Sequence, residues 1–286
     1  MNLETYLAQR RSLVESALEA ALPEATEPPE TIHRAMRHSM FAGGKRLRPI
    51  LCLAAAEACD GSVEDAMPGA VSVECLHTYT LIHDDLPCMD DDDFRRGHPT
   101  CHKVYGEGMA VLAGDALQAL AFEIAAGQGS EFARELAVTG GSRKLVGGQV
   151  LDLEGETKQL TLDELKFVHL SKTAALLTTS IRFGGMSAGA NEEELEQLTR
   201  FGEAAGLAFQ VIDDILDVTK TSEELGKSAG KDEASDKSTF PALLGLKESR
   251  KEADRLTKEA HSCLEIFGEK AEALRALADY LLNRDY

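Results

Sequence analysis

Six carboxylates stand within ten residues where the sequence reads DDLPCMDDDD, at positions 84–93. The run begins at the end of an apolar stretch, residues 68–86, which predicts a helix that ends near His83. The C-terminus of a helix already carries partial negative charge, so carboxylates there are unfavourable unless cations compensate them. Hard divalent cations bind several carboxylate oxygens at once, so they would compensate this negative charge. The competing interpretation of such a run is a solvated acidic loop.

A second acidic cluster, DDILD at residues 213–217, favours the metal interpretation. Asp213 and Asp217 are four residues apart, so they share one helix face, and Gln210 joins that face. Polar groups in so apolar a stretch, AAGLAFQVIDDILDV, are costly unless they bind something. Two such clusters predict several Mg²⁺ ions bridged by a phosphate-bearing ligand.

Cationic residues occur at positions that suit the same ligand. The pair Arg95-Arg96 directly follows the first cluster, and the segment GGKRLRP at residues 43–49 carries three cations. Lys172 lies in SKTAA, and Lys227 and Lys237 flank a polar loop. Each one alone would be interpreted as surface charge, but together with two acidic clusters they predict a polyphosphate site.

The composition predicts helices around this site. Of 286 residues, 43% are hydrophobic and only 5% aromatic, with no Trp, which favours helices over a β-sandwich. Thr161 with Glu164, and Asn191 with Glu194, fit capping boxes that start helices near residues 162 and 192. No alternating strand, fixed repeat or linker is evident. We therefore expect a single all-α domain over residues 1–286, with roughly ten or more helices.

Net charge and cysteine usage exclude several classes of partner. The formal net charge is −19, which disfavours binding to nucleic acid or to anionic membrane surfaces. No uninterrupted apolar run approaches the ~18–20 residues needed to span a bilayer, so no stable membrane insertion is expected. The six cysteines form no CxxC pair and are interpreted as reduced thiols of a cytoplasmic protein.

Between about Gly43 and Leu244 the chain resembles the short-chain trans-prenyltransferases of the bacterial farnesyl diphosphate synthase type. Together and in this order, the motifs that carry the resemblance are highly specific. They are GGKRLRP (43–49), HTYTLIHDDLPCMDDDDFRRG (77–97), GGQVLDLE (147–154), KT (172–173), FQVIDDILD (209–217) and DKSTFPALLG (236–245).

The resemblance implies the isoprenoid synthase fold, in which helices surround a central cavity, and a homodimer. It implies condensation of isopentenyl diphosphate with dimethylallyl and geranyl diphosphate, with three Mg²⁺ per active site that Mn²⁺ can replace. The implied metal ligands are Asp84, Asp90 and Asp213, although spacing alone leaves Asp90 and Asp91 open. The implied substrate and reaction-centre residues are Arg95 for the allylic diphosphate, Lys45, Arg48, His77 and Arg96 for isopentenyl diphosphate, Lys172, Thr173 and Gln210 at the reaction centre, and Lys227 and Lys237 for closure, with Lys231 an alternative to Lys227.

Tyr79 is the residue on which the expected product length depends. It precedes Asp84 by five residues, about 7–8 Å along a helix, and would form the floor of the chain cavity unless it is an ordinary core aromatic. In the family that the chain resembles, a bulky residue here accompanies C15 products, so farnesyl diphosphate is expected. The alternatives are a geranylgeranyl or geranyl diphosphate synthase and, more remotely, a non-catalytic metal-binding helical partner subunit.

Overall fold

The computed structural model describes residues 1–155, 158–219 and 238–282. The α-helices of these residues are α1 (Leu3–Ala21), α2 (Glu30–Met40), α3 (Leu47–Ala58), α4 (Val63–Asp84), α5 (Cys101–Tyr105), α6 (Glu107–Gln128), α7 (Ser130–Gly140), α8 (Leu145–Gly155), α9 (Leu162–Val168), α10 (Ala175–Ser187), α11 (Glu192–Thr219), α12 (Phe240–Leu244), α13 (Leu246–Cys263) and α14 (Glu272–Leu282). A π-helical turn (His169–Ala174) joins α9 to α10, and a 3-10 segment (Glu265–Ala271) precedes α14. Strands β1 (Phe94–Arg95) and β2 (His98–Pro99) form a short antiparallel hairpin. The prediction of an all-α protein is confirmed.

Local side-chain caps explain where two of the helices begin. The Thr161 hydroxyl accepts a hydrogen bond from the Glu164 amide, and the Glu164 carboxylate accepts one from the Thr161 amide. Asn191 and Glu194 make the same reciprocal pair. Each pair satisfies two amides that the first turn of a helix leaves open, so both predicted helix starts are confirmed.

The longest helices form the core. Helix α4 packs against α3, α6 and α10, while α11 packs against α10 and α13. The largest fully buried side chains include Phe183 of α10 and Phe201 of α11. This arrangement holds α4 and α11 rigidly, and these two helices carry the two acidic clusters.

Helix α6 has one buried and one open face. Among the described residues it is the one helix whose length and composition would allow it to cross a membrane. A core helix of a soluble protein passes the same test, so this is weak evidence for a membrane span. It packs along α4, and 33% of its most apolar window is buried. The open face carries Val111 and Leu112, which are 39% and 52% exposed.

Candidate active site

A cavity lined by cationic side chains lies beside the loop that enters α3. Its volume is about 850 Å³. It brings together four of the residues that the sequence predicts for one substrate, namely Lys45, Arg48, His77 and Arg96. The aromatic side chain of Tyr280 also lines it, and the Lys45 ammonium group lies 5.1 Å from the centroid of that ring.

Hydrogen bonds of the buried Arg46 side chain hold this loop in place. Its backbone is left-handed, with φ of 52°, and only 3% of the residue is exposed. Its guanidinium group donates to the carboxylates of Glu15 (Nε to Oε1, 2.7 Å) and Glu74 (Nη1 to Oε1, 2.8 Å), and to the Met40 carbonyl. Because both carboxylates pair with Arg46, they neutralise the charge of its guanidinium group. Arg46 therefore lines the cavity with its charge already paired, unlike its neighbours Lys45 and Arg48.

The remaining cations of the cavity are poorly compensated. Arg48 donates from Nη1 to His77 Nε2 over 3.2 Å, and its own Nε is buried without a hydrogen-bond partner among the described residues. Burial lowers the pKa of Arg48, and Arg96 lowers it further. Burial and these arginines also hold the pKa of His77 well below its usual range, so the imidazole is neutral. Among the described residues, Lys45, Arg48 and Arg96 form no ion pair with a carboxylate, so the cavity is suited to a multiply charged anion.

Glycine allows Arg96 to reach this cavity. Its guanidinium group donates to the Gly43 carbonyl, and a Cβ atom on Gly44 would collide with the same group. Gly44 also has a φ of +131°, a conformation that L side chains rarely adopt. The glycine pair of GGKRLRP is therefore required both by the turn and by the close approach of the arginine.

The first acidic cluster folds back on the end of α4. The Asp90 amide donates to the Asp84 carbonyl over 2.8 Å, which brings these two residues together. Burial raises the pKa of the Asp84 carboxyl to about 6, with Asp90 and Asp85 raising it further and Lys172 opposing them. Crowded carboxylates on a half-buried surface are the donor set that hard divalent cations prefer.

Asp85 has a different role from its neighbours. It is 4% exposed, and its Oδ1 atom accepts from both Nε and Nη2 of Arg95, over 2.7 and 2.5 Å. Burial raises the pKa of Asp85, although Arg95 opposes that shift. Asp85 therefore orients Arg95 at the edge of the cluster.

The π-helical turn carries Lys172 and Thr173 into the centre of the molecule. Lys172 Nζ donates to Asp152 Oδ2 over 2.5 Å. Burial opposes the charge on Lys172, but Asp152, Asp84 and Asp90 outweigh it and raise the pKa, so the ammonium form is held. A Cβ atom on Gly148 would lie 2.7 Å from the Lys172 amide nitrogen, so α8 approaches this turn closely only because that residue is glycine. π-Helical turns of this kind are frequent at functional sites.

The second acidic cluster lies on α11, facing the same turn. Gln210 and Asp214 line a second cavity together with Lys172 and Thr173. Asp214 is buried; its Oδ2 atom accepts from the Phe240 amide over 2.9 Å and lies 3.3 Å from His169 Nε2. These contacts tie the cluster to the start of α12.

The two other aspartates of the second cluster differ in exposure. Asp213 is half-buried on α11, whereas Asp217 is 7% exposed and has one carboxylate oxygen without a hydrogen-bond partner among the described residues. A buried carboxylate oxygen left without a partner is costly, and a cation would relieve that cost. The donor set therefore fits the predicted Mg²⁺ at this cluster as well as at the first.

A third cavity, of about 530 Å³, extends from the first cluster between α4 and α8. Asp84, Lys172 and Thr173 line its polar part, and apolar side chains form most of the rest. Tyr79 lines it too, with its ring edge-on to that of His83 at 4.9 Å between centroids. The cavity is a largely apolar channel that begins at the charged groups.

Many of the predicted residues line these three cavities, but among the described residues Asp90, Arg95 and Asp213 line none of the three. Lys227 and Lys237 lie outside the described residues, as does Lys231. The sequence motifs assign no roles to Asp152, His169 or Asp214. A signal existed for Asp152, which stands within the GGQVLDLE motif, but its pairing with Lys172 depends on how α8 packs.

Comparison with known proteins agrees with this geometry. The family model of the polyprenyl synthetases matches residues 29–278. The chain is 50% identical to a dimethylallyltranstransferase of Fischerella ambigua, covering 100% of this chain and 84% of that protein. It is also 50% identical to a chloroplastic geranylgeranyl pyrophosphate synthase of Capsicum annuum, covering 99% and 79%. A crystal structure of a geranyltransferase from Helicobacter pylori, complexed with magnesium and isoprenyl diphosphate, is similar with a TM-score of 0.83 at 37% identity, covering 99% of this chain and 98% of the other.

The raised pKa of Asp84 predicts a pH-dependent effect on stability. In metal-free protein, Asp84→Asn removes a carboxylate whose charge opposes folding, so the variant should be more stable than wild type above about pH 6, by about 1–3 kcal/mol. The gain should shrink as pH falls from 6 and vanish below about pH 4, where the wild-type carboxyl is protonated in both states. Urea unfolding in EDTA across this range measures it. Glu123→Gln, at an exposed acid of α6, is the control, and a gain that does not change with pH would contradict the account.

Proposed function

The chain belongs to the polyprenyl synthetase family of trans-prenyltransferases, and we propose that it condenses isopentenyl diphosphate with the allylic substrates dimethylallyl and geranyl diphosphate. One observation carries the proposal. A cationic cavity and a carboxylate cluster, each suited to a diphosphate group, lie at one end of an apolar channel. His77 and Arg48 line both the cationic cavity and the channel, so the two charged regions adjoin.

Isopentenyl diphosphate is proposed to bind in the cationic cavity. Lys45, Arg48 and Arg96 supply positive charge, and His77 holds Arg48 in place through its neutral ring nitrogen. The buried Nε of Arg48, which has no partner among the described residues, supports this assignment because a phosphate oxygen would satisfy it.

The allylic diphosphate is proposed to bind between the two acidic clusters. Asp84, Asp90 and Asp213 would hold three Mg²⁺ ions, or Mn²⁺ in their place. Bound there, the metal neutralises the leaving diphosphate. Arg95, oriented by Asp85, and Lys172, held by Asp152, would add hydrogen bonds to the same group.

The residues around the reacting carbons then stabilise the allylic cation and keep water away from it. Thr173 and Gln210 present oxygen atoms that favour the allylic cation formed when the C–O bond breaks. The apolar walls exclude water, which would otherwise trap that cation. The isopentenyl double bond attacks the cation, and the departing diphosphate accepts the proton that is lost. Lys227 and Lys237 are proposed to close the site.

The proposed main product is farnesyl diphosphate. Tyr79 supports it, since its ring lines the channel five residues before Asp84 and its pKa is raised by burial. A second candidate is geranylgeranyl diphosphate, which the name of the Capsicum annuum relative favours. In that case the C20 chain would pass the ring of Tyr79 toward Val146 and Val150.

A homodimer in the cytoplasm is part of the proposal. Val111, Val146 and Val150 are 37–47% exposed, and all three line the outer wall of the channel. A second copy that covered this apolar face would shield the channel from water, which is the condition that the cation requires.

The direct test of the activity is incubation with isopentenyl diphosphate and dimethylallyl diphosphate in Mg²⁺. Chromatography of the dephosphorylated products should show a C15 alcohol, and EDTA should abolish turnover, as should Asp213→Ala. A C20 alcohol would support the second candidate, whereas full turnover in excess EDTA would contradict the metal assignment.

The two arginines of the hairpin should affect different substrates. Arg96→Ala should mainly raise KM for isopentenyl diphosphate, by about 10- to 100-fold, because a charge-assisted contact with phosphate is worth about 1.5–3 kcal/mol. Arg95→Ala should weaken the allylic substrate and lower kcat. Steady-state kinetics with each substrate varied in turn separates the effects. Identical defects toward both substrates would show that the separate sites do not exist.

Removal of the Tyr79 ring should lengthen the product. Tyr79→Ala opens the channel, and each additional prenyl CH₂ that fills it gains about 0.8 kcal/mol from burial. The variant should release C20 and longer diphosphates, while its first condensation changes little. Tyr79→Phe, which keeps the ring, is the matched control and should retain the wild-type product. An unchanged product from Tyr79→Ala would mean that Tyr79 is only a core residue.

A further inference from the structure

A second group of metal-ligating side chains combines two later carboxylates of the run at residues 84–93 with a histidine. Asp91, Asp93 and His102 each offer one ligand atom, and these atoms all lie within 4.8 Å of one another. The two aspartates precede the β1–β2 hairpin, and His102 follows it in α5. The group therefore joins the two ends of the hairpin that carries Arg95 and Arg96.

One ring nitrogen of His102, Nε2, makes no hydrogen bond with the described residues. The residue is 6% exposed, and its Nδ1 lies 3.2 Å from the Thr100 hydroxyl. Its Nε2 is buried without a hydrogen-bond partner among the described residues. Buried ring nitrogens are normally satisfied, so this atom indicates a ligand that the protein atoms do not supply. With Nδ1 occupied by Thr100, Nε2 is the nitrogen left for that ligand.

Backbone hydrogen bonds hold the two aspartates in place. The Asp91 amide donates to the Leu86 carbonyl over 3.1 Å, in a left-handed conformation with φ of 50°. The Asp93 carbonyl accepts from the Thr100 amide over 3.0 Å. The Asp93 carboxylate also contacts Lys103 Nζ, from its Oδ1 atom, at 2.6 Å.

We propose that Asp91, Asp93 and His102 bind a divalent transition-metal ion of the Zn²⁺ class. Mg²⁺ prefers an all-oxygen shell, whereas an imidazole nitrogen with carboxylate oxygens suits Zn²⁺ and its neighbours. The proposed ligands of this ion do not include Asp84 and Asp90, the proposed Mg²⁺ ligands of the first cluster. The ion clamps the base of the hairpin and so fixes the arginines that the proposed function assigns to the substrates.

The test is titration of the metal-free full chain with Zn²⁺ in a large excess of Mg²⁺, without any diphosphate, followed by calorimetry. Wild type should bind one Zn²⁺ per chain, and His102→Gln should weaken that binding by about tenfold or more. His98→Gln, which removes an exposed imidazole from the same hairpin, is the matched control and should bind as wild type does. No Zn²⁺ binding by wild type in Mg²⁺, or unchanged binding by His102→Gln, would overturn the proposal.

A second pair of variants keeps the test decisive if the buried His102 is needed for folding. Asp91 is exposed, and asparagine tolerates its left-handed backbone, so Asp91→Asn should fold and lose the Zn²⁺ site. Asp84→Asn should retain it, and loss of Zn²⁺ in this variant rather than in Asp91→Asn would show that the ion binds the catalytic cluster instead. Because the readout is metal binding without substrate, its outcome does not depend on whether the proposed condensation occurs.

Discussion

Repulsion among carboxylates at the end of α4 is the constraint on which the rest of the site depends. Asp84 stands where the helix dipole is negative, beside Asp85 and near Asp90, and burial with these neighbours raises its pKa to about 6. The fold answers this repulsion only in part, since Arg95 neutralises Asp85 while Lys172 is shared with Asp152. The charge that remains is what a divalent cation and its diphosphate would neutralise.

The cationic side of the site contains two nearby arginines whose partners differ. Arg46 is buried with two carboxylate partners and a carbonyl, whereas Arg48, two residues later, contacts a neutral histidine and has an Nε without a hydrogen-bond partner among the described residues. One arginine therefore stabilises the loop, and the other retains binding capacity for an anion. The two arginines divide these tasks because Arg46 has a left-handed backbone just before α3, whereas Arg48 lies in the first turn of that helix.

Much of this site could be predicted from the sequence because its residues stand in recognisable motifs. Lys45, Arg48, His77 and Arg96 meet in one cavity as expected, and both capping boxes start their helices where the spacing placed them. The π-helical turn around Lys172 could not be predicted, because it arises from close packing rather than from local propensity. Pairings such as Lys172 with Asp152 join residues far apart in the chain, so spacing alone does not reveal them.

The most direct test of the central claim is the thermal stability of the wild-type chain with Mg²⁺ alone, with inorganic diphosphate alone and with both. If the carboxylate cluster and the cationic residues form one site, metal and diphosphate bind together. The rise in Tm with both should then clearly exceed the sum of the separate rises. Strictly additive rises would contradict the account, since they would mean that the metal and the diphosphate bind independently of each other.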